Sequence, residues 1–276
     1  MAAQASFSIE SPGGPRTVTL TYERAGAGEP LLLLHGIGHH WQAWQPVLPI
    51  LATERDVIAV DLPGFGASPA LPEGLAYDLT SVVPVLDAFC RQLGIERPHV
   101  AGNSLGGLLA LELGREKLVR SVTALSPAGF WSEAERRYAF GTLLAMRQGA
   151  RAMPLPVIER LSRSAVGRAA LTSTIYARPG RRSPEAVVAE TLALRDATGF
   201  RQTLDAGRGV LFRDAVPELP VTIAWGTRDR LLVRRQGIRA KHVLPDARLV
   251  RLPGCGHVPM HDDPALVARV ILDTSR

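Results

Sequence analysis

Residues 99–113 read His99-Val100-Ala101-Gly102-Asn103-Ser104-Leu105-Gly106-Gly107-Leu108-Leu109-Ala110-Leu111-Glu112-Leu113. The first three have strand character, and the apolar positions after Ser104 follow helical spacing. A strand and a helix therefore meet at a serine, with glycine two positions away on either side. So sharp a turn forces the serine into a strained conformation, which only small residues at 102 and 106 accommodate. The hydroxyl is expected at the carboxyl edge of a sheet, over a helix N-terminus whose free N–H groups favour a developing anion. Gly66-Ala67-Ser68-Pro69-Ala70 is a decoy, because Pro69 lacks the backbone N–H that would follow such a serine as a donor, whereas Leu105 has one. Ser104 could instead be a turn serine capping its helix. The flanking strand and helix favour a nucleophile.

Outward from this stretch, strand and helix alternate. Phe7–Glu10 and Thr17–Glu23 are short β-rich runs joined through Ser11-Pro12-Gly13-Gly14-Pro15, expected as an antiparallel hairpin of edge strands. Pro30–Leu34 and Asp56–Asp61 are continuous apolar runs, as in strands buried on both faces. A helix is expected from Asp78 to about Leu93, with Pro84 in its early part, and Ser121–Ser126 is a further strand. Such alternation predicts an α/β fold with a mostly parallel, doubly wound sheet. After Phe130 it stops. Residues 131–213 read as helices only: Ser132 caps the first, Pro154 and Pro156 break the next, and Ser183-Pro184-Glu185 opens a third. Strands return at Val221–Gly226 and Ala247–Leu252, and a last helix starts at Pro264. The expected organisation is a core of residues 1–130 and 214–276 carrying a helical lid at 131–213.

Composition narrows the function. At 276 residues, 46% hydrophobic and 21% charged, the chain suits a globular domain with a full core. No apolar run nears the roughly 20 residues that cross a bilayer, and Met1–Ser6 has no signal-peptide pattern, so a cytoplasmic protein with no membrane partner is expected. Cys90 and Cys255 make no disulfide framework. Of the net charge of +6, residues 131–213 hold +7, from 14 arginines against Glu133, Glu135, Glu159, Glu185, Glu190, Asp196 and Asp205. This excess has no interleaved aromatics and no nucleic-acid module, so no nucleic-acid partner is expected and the arginines read as solvated helix faces.

Acyl transfer through a serine needs a base, an acid that orients it and donors for the oxyanion. His257, in Pro253-Gly254-Cys255-Gly256-His257-Val258-Pro259 after the last strand, can reach over the sheet edge. His99 lies on the central strand, His242 on an outer helix, and His261 toward the surface beside Asp262 and Asp263. Asp229, just past Val221–Gly226, is the expected acid, since the preceding strand exits into Ser126-Pro127-Ala128. Asp61 and His35 read as loop organisers. Ile37, in His35-Gly36-Ile37-Gly38, and Leu105 are the expected oxyanion donors, and Trp41 and Trp44 read as packing. Trp131, Tyr138, Met146, Phe200 and Val258 are candidates to line the pocket, with no metal or cofactor required.

The order Ser104, Asp229, His257, together with Asp61-Leu62-Pro63-Gly64-Phe65-Gly66-Ala67-Ser68 and Trp225-Gly226-Thr227-Arg228-Asp229, resembles the lidded α/β-hydrolases over nearly the whole chain. Asn103-Ser104 with Gly106-Gly107 is similar to the carbon–carbon bond hydrolases of aromatic breakdown. Those relatives usually carry tryptophan where Val258 stands and Gly-Pro-Gly where Gly38-His39-His40 stands. The resemblance implies a serine hydrolase of an apolar ester or similar small acyl substrate. Its rivals are cleavage of a vinylogous diketone, acyl transfer to an acceptor other than water, and small-molecule binding without turnover.

Overall fold

The structure is a computed structural model that describes residues 2–11, 13–216 and 218–276. Eight strands form one sheet in the order β1-β2-β4-β3-β5-β6-β7-β8. They are β1 Ala3–Ile9, β2 Arg16–Ala25, β3 Glu29–Leu34, β4 Arg55–Val60, β5 His99–Asn103, β6 Ser121–Leu125, β7 Val221–Gly226 and β8 Arg248–Leu252. The helices, in chain order, are α1 Leu48–Leu51, α2 Leu79–Gln92, α3 Leu105–Arg115, α4 Glu133–Ala152, α5 Leu155–Ser162, α6 Ala165–Thr172, α7 Pro184–Asp196, α8 Phe200–Ala206, α9 Arg235–Val243 and α10 Pro264–Thr274.

From β4 to β8 every neighbouring pair is parallel. The last four residues of β3 and of β4 are all buried, on both faces of the sheet, which explains their apolar runs. β1 and β2 do form an antiparallel hairpin, but only β1 is an edge strand. β2 also pairs antiparallel with β4, matching Tyr22 to Val60, so the expectation of two edge strands is corrected. The alternating burial along β2 carried no sign of a second partner, since edge and interior antiparallel strands share that period. Pro12, within the expected hairpin connection, lies outside the described residues. The opposite edge, β8, is kept from further pairing by exposed Arg248 and Arg251.

Because β3, β5, β7 and β8 run in the same direction, the segments that follow them emerge along one edge of the sheet. These segments begin at His35, Ser104, Thr227 and Pro253. Ligands of open parallel sheets bind along such a carboxyl edge. Helices α4 to α8 are inserted between β6 and β7. The first of them is locked by a capping box, in which the Ser132 N–H donates to Glu135 Oε2 at 2.7 Å and the Glu135 N–H donates back to Ser132 Oγ at 3.4 Å. The buried Glu135 carboxylate also pairs with Arg235 and Arg239 of α9, so this helix start is tied to the sheet's outer layer. No described helix is long and apolar enough to cross a membrane.

Candidate active site

Ser104 sits between β5 and α3 with φ of 57° and ψ of −114°, a conformation that L residues rarely adopt. The packing around it leaves no other path. A Cβ on Gly102 would lie 1.9 Å from the Gly106 carbonyl oxygen, and one on Gly106 would lie 2.1 Å from the Leu34 carbonyl oxygen. Two backbones thus approach within a distance that only glycine permits. Hydrogen bonds then fix the strained residue from both sides: the Ser104 N–H donates to Leu125 O at 2.9 Å, and its carbonyl accepts from Leu108 N at 3.0 Å and Ala128 N at 3.0 Å. Leu105 is the first residue of α3, so its N–H has no partner within the helix and is available beside the serine.

His257 and Asp229 meet as a buried pair. Asp229 Oδ2 lies 2.9 Å from His257 Nδ1, and its Oδ1 accepts from the N–H groups of Leu231 at 3.0 Å and Leu232 at 2.9 Å. With both carboxylate oxygens engaged, the acid is held by the backbone after β7 while it orients the ring. Ser104 and His257 line one cavity of about 210 Å3, with Ile37, Gly38, Met146, Leu194 and Val258 among its walls. Gly36 brings the Ile37 loop against the serine, since a Cβ there would lie 3.2 Å from Ser104 Cβ.

His35 and Asp61 occupy organising positions. The Leu62 N–H donates to His35 Nε2 at 3.0 Å, which leaves the proton on Nδ1 to donate to Gly36 O at 2.7 Å. Burial pushes the His35 pKa down to about 3, so the ring is neutral. Asp61 accepts from Trp41 N at 2.6 Å and Ala67 N at 2.8 Å, joining the loops after β3 and β4. Its burial raises the pKa to about 6, against the pull of those two donors. Trp44 is fully buried in the core.

The expected pocket residues separate. Met146 and Val258 line the cavity with Ser104, and Trp131 lines a smaller adjoining one that also reaches Ser104 and Ile37. Tyr138 and Phe200 line neither. Tyr138 is half exposed and donates its hydroxyl to Arg230 O, while Phe200 is fully buried with the Arg147 guanidinium 4.7 Å over its ring. An aromatic residue on a helix reads the same in sequence whether it faces a ligand or a neighbouring helix. His261 is corrected too: it is not on the surface side of its loop but packed edge-on against Tyr176, because the inserted helices cover it.

Three participants were not singled out from sequence. The Asn103 side-chain amide donates to Leu125 O at 3.1 Å and to His257 O at 2.9 Å, fastening the elbow to the histidine loop. Asp262 accepts from Gly256 N at 2.8 Å, Ala177 N at 3.1 Å and Arg178 N at 2.9 Å, which clamps that loop to the insertion. Glu190 lines the cavity from α7. Only Glu190 had a legible signal, as an acid in the helical stripe Val187, Glu190, Thr191 and Leu194.

A model of the alpha/beta hydrolase family matches residues 31–270. The chain belongs to this family. It is 30% identical over 256 residues to an uncharacterized protein of Mycobacterium tuberculosis, spanning 87% of this chain and 73% of that one. It is 36% identical over 121 residues to the pimeloyl-[acyl-carrier protein] methyl ester esterase of Aeromonas hydrophila, a match covering 43% of this chain and 46% of the esterase. Among solved structures, a hydrolase from Pseudomonas aeruginosa superposes with a TM-score of 0.75 at 21% identity, covering 98% of this chain and 97% of that one. That likeness bears on the fold: an eight-stranded, mostly parallel sheet flanked by helices.

Proposed function

We propose that this alpha/beta hydrolase is a serine esterase, with Ser104 as nucleophile, His257 as general base and acid, and Asp229 as the acid that orients His257. The observation that carries the reading is the coincidence, in one cavity, of a serine held at φ of 57° and a histidine bonded at 2.9 Å to a buried carboxylate. A strained serine beside a histidine hydrogen-bonded to a buried carboxylate is the arrangement that acyl transfer requires. The partial match to a methyl ester esterase supports an ester as the substrate class.

In this reading His257 Nε2 takes the proton of Ser104 as the hydroxyl oxygen attacks the ester carbonyl. The N–H groups of Ile37 and Leu105 receive the negative charge that develops on the carbonyl oxygen. The tetrahedral intermediate collapses by breaking the bond to the alcohol oxygen, which leaves with the proton from His257. Water then gives a proton to His257 and attacks the acyl carbon; the bond to Ser104 Oγ breaks, Oγ takes that proton back from His257, and the acid is released. Asp229 keeps the imidazole in the tautomer that presents Nε2 and favours its charged form. Residues 131–213 act as a lid over the core of residues 1–130 and 214–276. The largely apolar wall they supply, including Leu143, Met146, Met153 and Leu171, suits an apolar acyl or alcohol group.

The test is intact-protein mass spectrometry after exposure to a fluorophosphonate. A single adduct on the wild type that is absent from Ser104→Ala is the expected result. No adduct on a folded wild type whose cavity admits the probe, or an equal adduct on Ser104→Ala, would overturn the assignment and leave a small-molecule binding protein as the better description.

A further inference from the structure

The cavity wall around Ser104 is mostly apolar, yet Glu190 is its one acidic member and comes from the inner stripe of α7. Its carboxylate is half satisfied. Oε1 accepts the Tyr176 hydroxyl at 2.8 Å and pairs with the Arg182 guanidinium, which lies 4.2 Å over the Tyr176 ring. Oε2 is buried and has no hydrogen-bond partner. Glu190 lines the cavity whereas Tyr176 and Arg182, the partners of Oε1, do not. A bare carboxylate oxygen away from water is costly, so an unpartnered one at a cavity residue calls for an explanation.

A second unpartnered atom lines the same cavity. His39 Nδ1 is buried without a hydrogen-bond partner, two residues after Ile37. The two elements are in contact, because a Cβ on Gly38 would lie 2.5 Å from Leu194 Cδ1, one helical turn beyond Glu190. Burial holds the His39 ring neutral, with its pKa well below the ordinary histidine value. Around Glu190, burial raises the carboxyl pKa against the opposing pull of Arg182; the other groups facing it are Tyr176 and the His261 ring, whose Nε2 lies 3.9 Å from Oε1.

The charges select the ligand. An ammonium group would bring a second cation beside Arg182, whose charge is already matched by Glu190. A carboxylate would face Glu190 itself. A hydroxyl can donate to Oε2 and accept from an imidazole N–H without adding charge to a buried site. We propose that Glu190 Oε2 and His39 Nδ1 form a subsite for a neutral hydroxyl of the substrate, so that the ester is a hydroxy-substituted one; this rests on the serine esterase reading.

The experiment measures binding and turnover separately. Methyl hexanoate, methyl 3-hydroxyhexanoate, methyl 6-hydroxyhexanoate, methyl 6-aminohexanoate and monomethyl adipate are titrated calorimetrically into Ser104→Ala. At least one hydroxy ester is expected to bind about tenfold or more tightly than methyl hexanoate, as for a hydrogen bond to a charged group, with no gain for the amino or carboxylate esters. In the same background, Glu190→Gln is expected to weaken that preference, and Arg182→Leu/Glu190→Leu to reduce it to below about twofold. The double variant replaces a buried ion pair by apolar side chains of similar reach, an exchange that folds commonly tolerate, and its thermal transition verifies this. Equal binding of the hydroxy and plain esters, or a preference that survives both substitutions, overturns the subsite. Wild-type turnover separates the two proposals. Cleavage of all the neutral esters with equal kcat/KM, together with equal binding, defeats the subsite and keeps the esterase; selective binding of a hydroxy ester that is never cleaved keeps the subsite and defeats the esterase.

Discussion

Replacing Asn103 by alanine removes two hydrogen bonds that cross the site, to Leu125 O on β6 and to His257 O on the histidine loop. Both acceptors are buried, with Leu125 fully enclosed. A neutral hydrogen bond contributes about 1 kcal/mol net, and a buried carbonyl left bare costs about 1–3 kcal/mol. Leu125 O keeps its bond from Ser104 N, so one lost hydrogen bond and one bared carbonyl, His257 O, predict a destabilisation of about 2–4 kcal/mol, measurable by urea denaturation. The loop itself should survive, since Gly256 N still donates to Asp262 and Val258 N to Ile175 O. The expected fall in kcat is therefore on the order of tenfold, well short of the loss in Ser104→Ala, because the Asp229 bond still holds the ring. Asn103→Asp sharpens the test. At pH 8 a carboxylate there can donate to neither carbonyl, so the variant should be less stable than Asn103→Ala. Its folded pKa must then lie above the unfolded value near 4. The unfolded state binds fewer protons across that interval, so the deficit relative to wild type shrinks as pH falls from 8 toward 5. Asn103→Ala within about 0.5 kcal/mol of wild type, or an Asp deficit that does not depend on pH, would refute the claim that this amide fastens the elbow to the histidine loop.

Ser104→Gly should raise stability by about 1–2 kcal/mol in thermal denaturation while abolishing fluorophosphonate labelling, because glycine adopts the positive φ at no steric cost; an unchanged or lower transition temperature would contradict the strain. Gly106→Ala should prevent folding to a labelled state, with its Cβ 2.1 Å from the Leu34 carbonyl, whereas Gly107→Ala, whose nearest contact is Pro127 Cβ at 3.0 Å, should fold with a modest loss; soluble yield and labelling of the pair check this contrast. Buried His35, with its pKa near 3 against 6.5, makes the unfolded state the greater proton binder below pH 6.5, so stability falls as pH drops from 6.5 toward 3, by up to on the order of 4 kcal/mol. His35→Gln should flatten the acid limb of the stability profile between pH 6.5 and 4, and an unaltered slope would show that the ring is not the proton acceptor.

How legible each part of the site was depends on whether its cause is local. The elbow was legible because its requirement is steric and short-ranged: a Cβ at 102 or 106 would lie only 1.9 or 2.1 Å from a backbone oxygen, so glycine is required at both. His257 and Asp229 could be chosen because each follows a strand, and parallel strands deliver their exits to one edge. The second partner of β2 was not legible, since pairing with β4 depends on the order of strands rather than on either strand's own pattern. The same holds for Tyr138 and Phe200. Their aromatic character was plain, but which of them faces a cavity is decided by how α4 and α8 pack, and one turned to solvent while the other was enclosed.

The arginines of the insertion show where reading by composition stops. Most meet solvent or make exposed pairs such as Arg201 with Asp205 and Arg208 with Asp205, as a solvated helix surface implies, and such pairs add little to stability. Arg182 does not belong with them. It is buried against Tyr176 and Glu190, where it carries a charge that only a matched partner makes tolerable. Nothing in its sequence neighbourhood, Arg178-Pro179-Gly180-Arg181-Arg182, distinguishes it from the adjacent arginine, which is exposed. The distinction arises only when α7 turns Glu190 inward. Net charge of a segment therefore says what its surface attracts, whereas the specificity of a cavity is set by the few charges withdrawn from that surface. In this fold, Glu190, held by Arg182 from behind, is the part of the charged insertion that reaches the chamber holding Ser104.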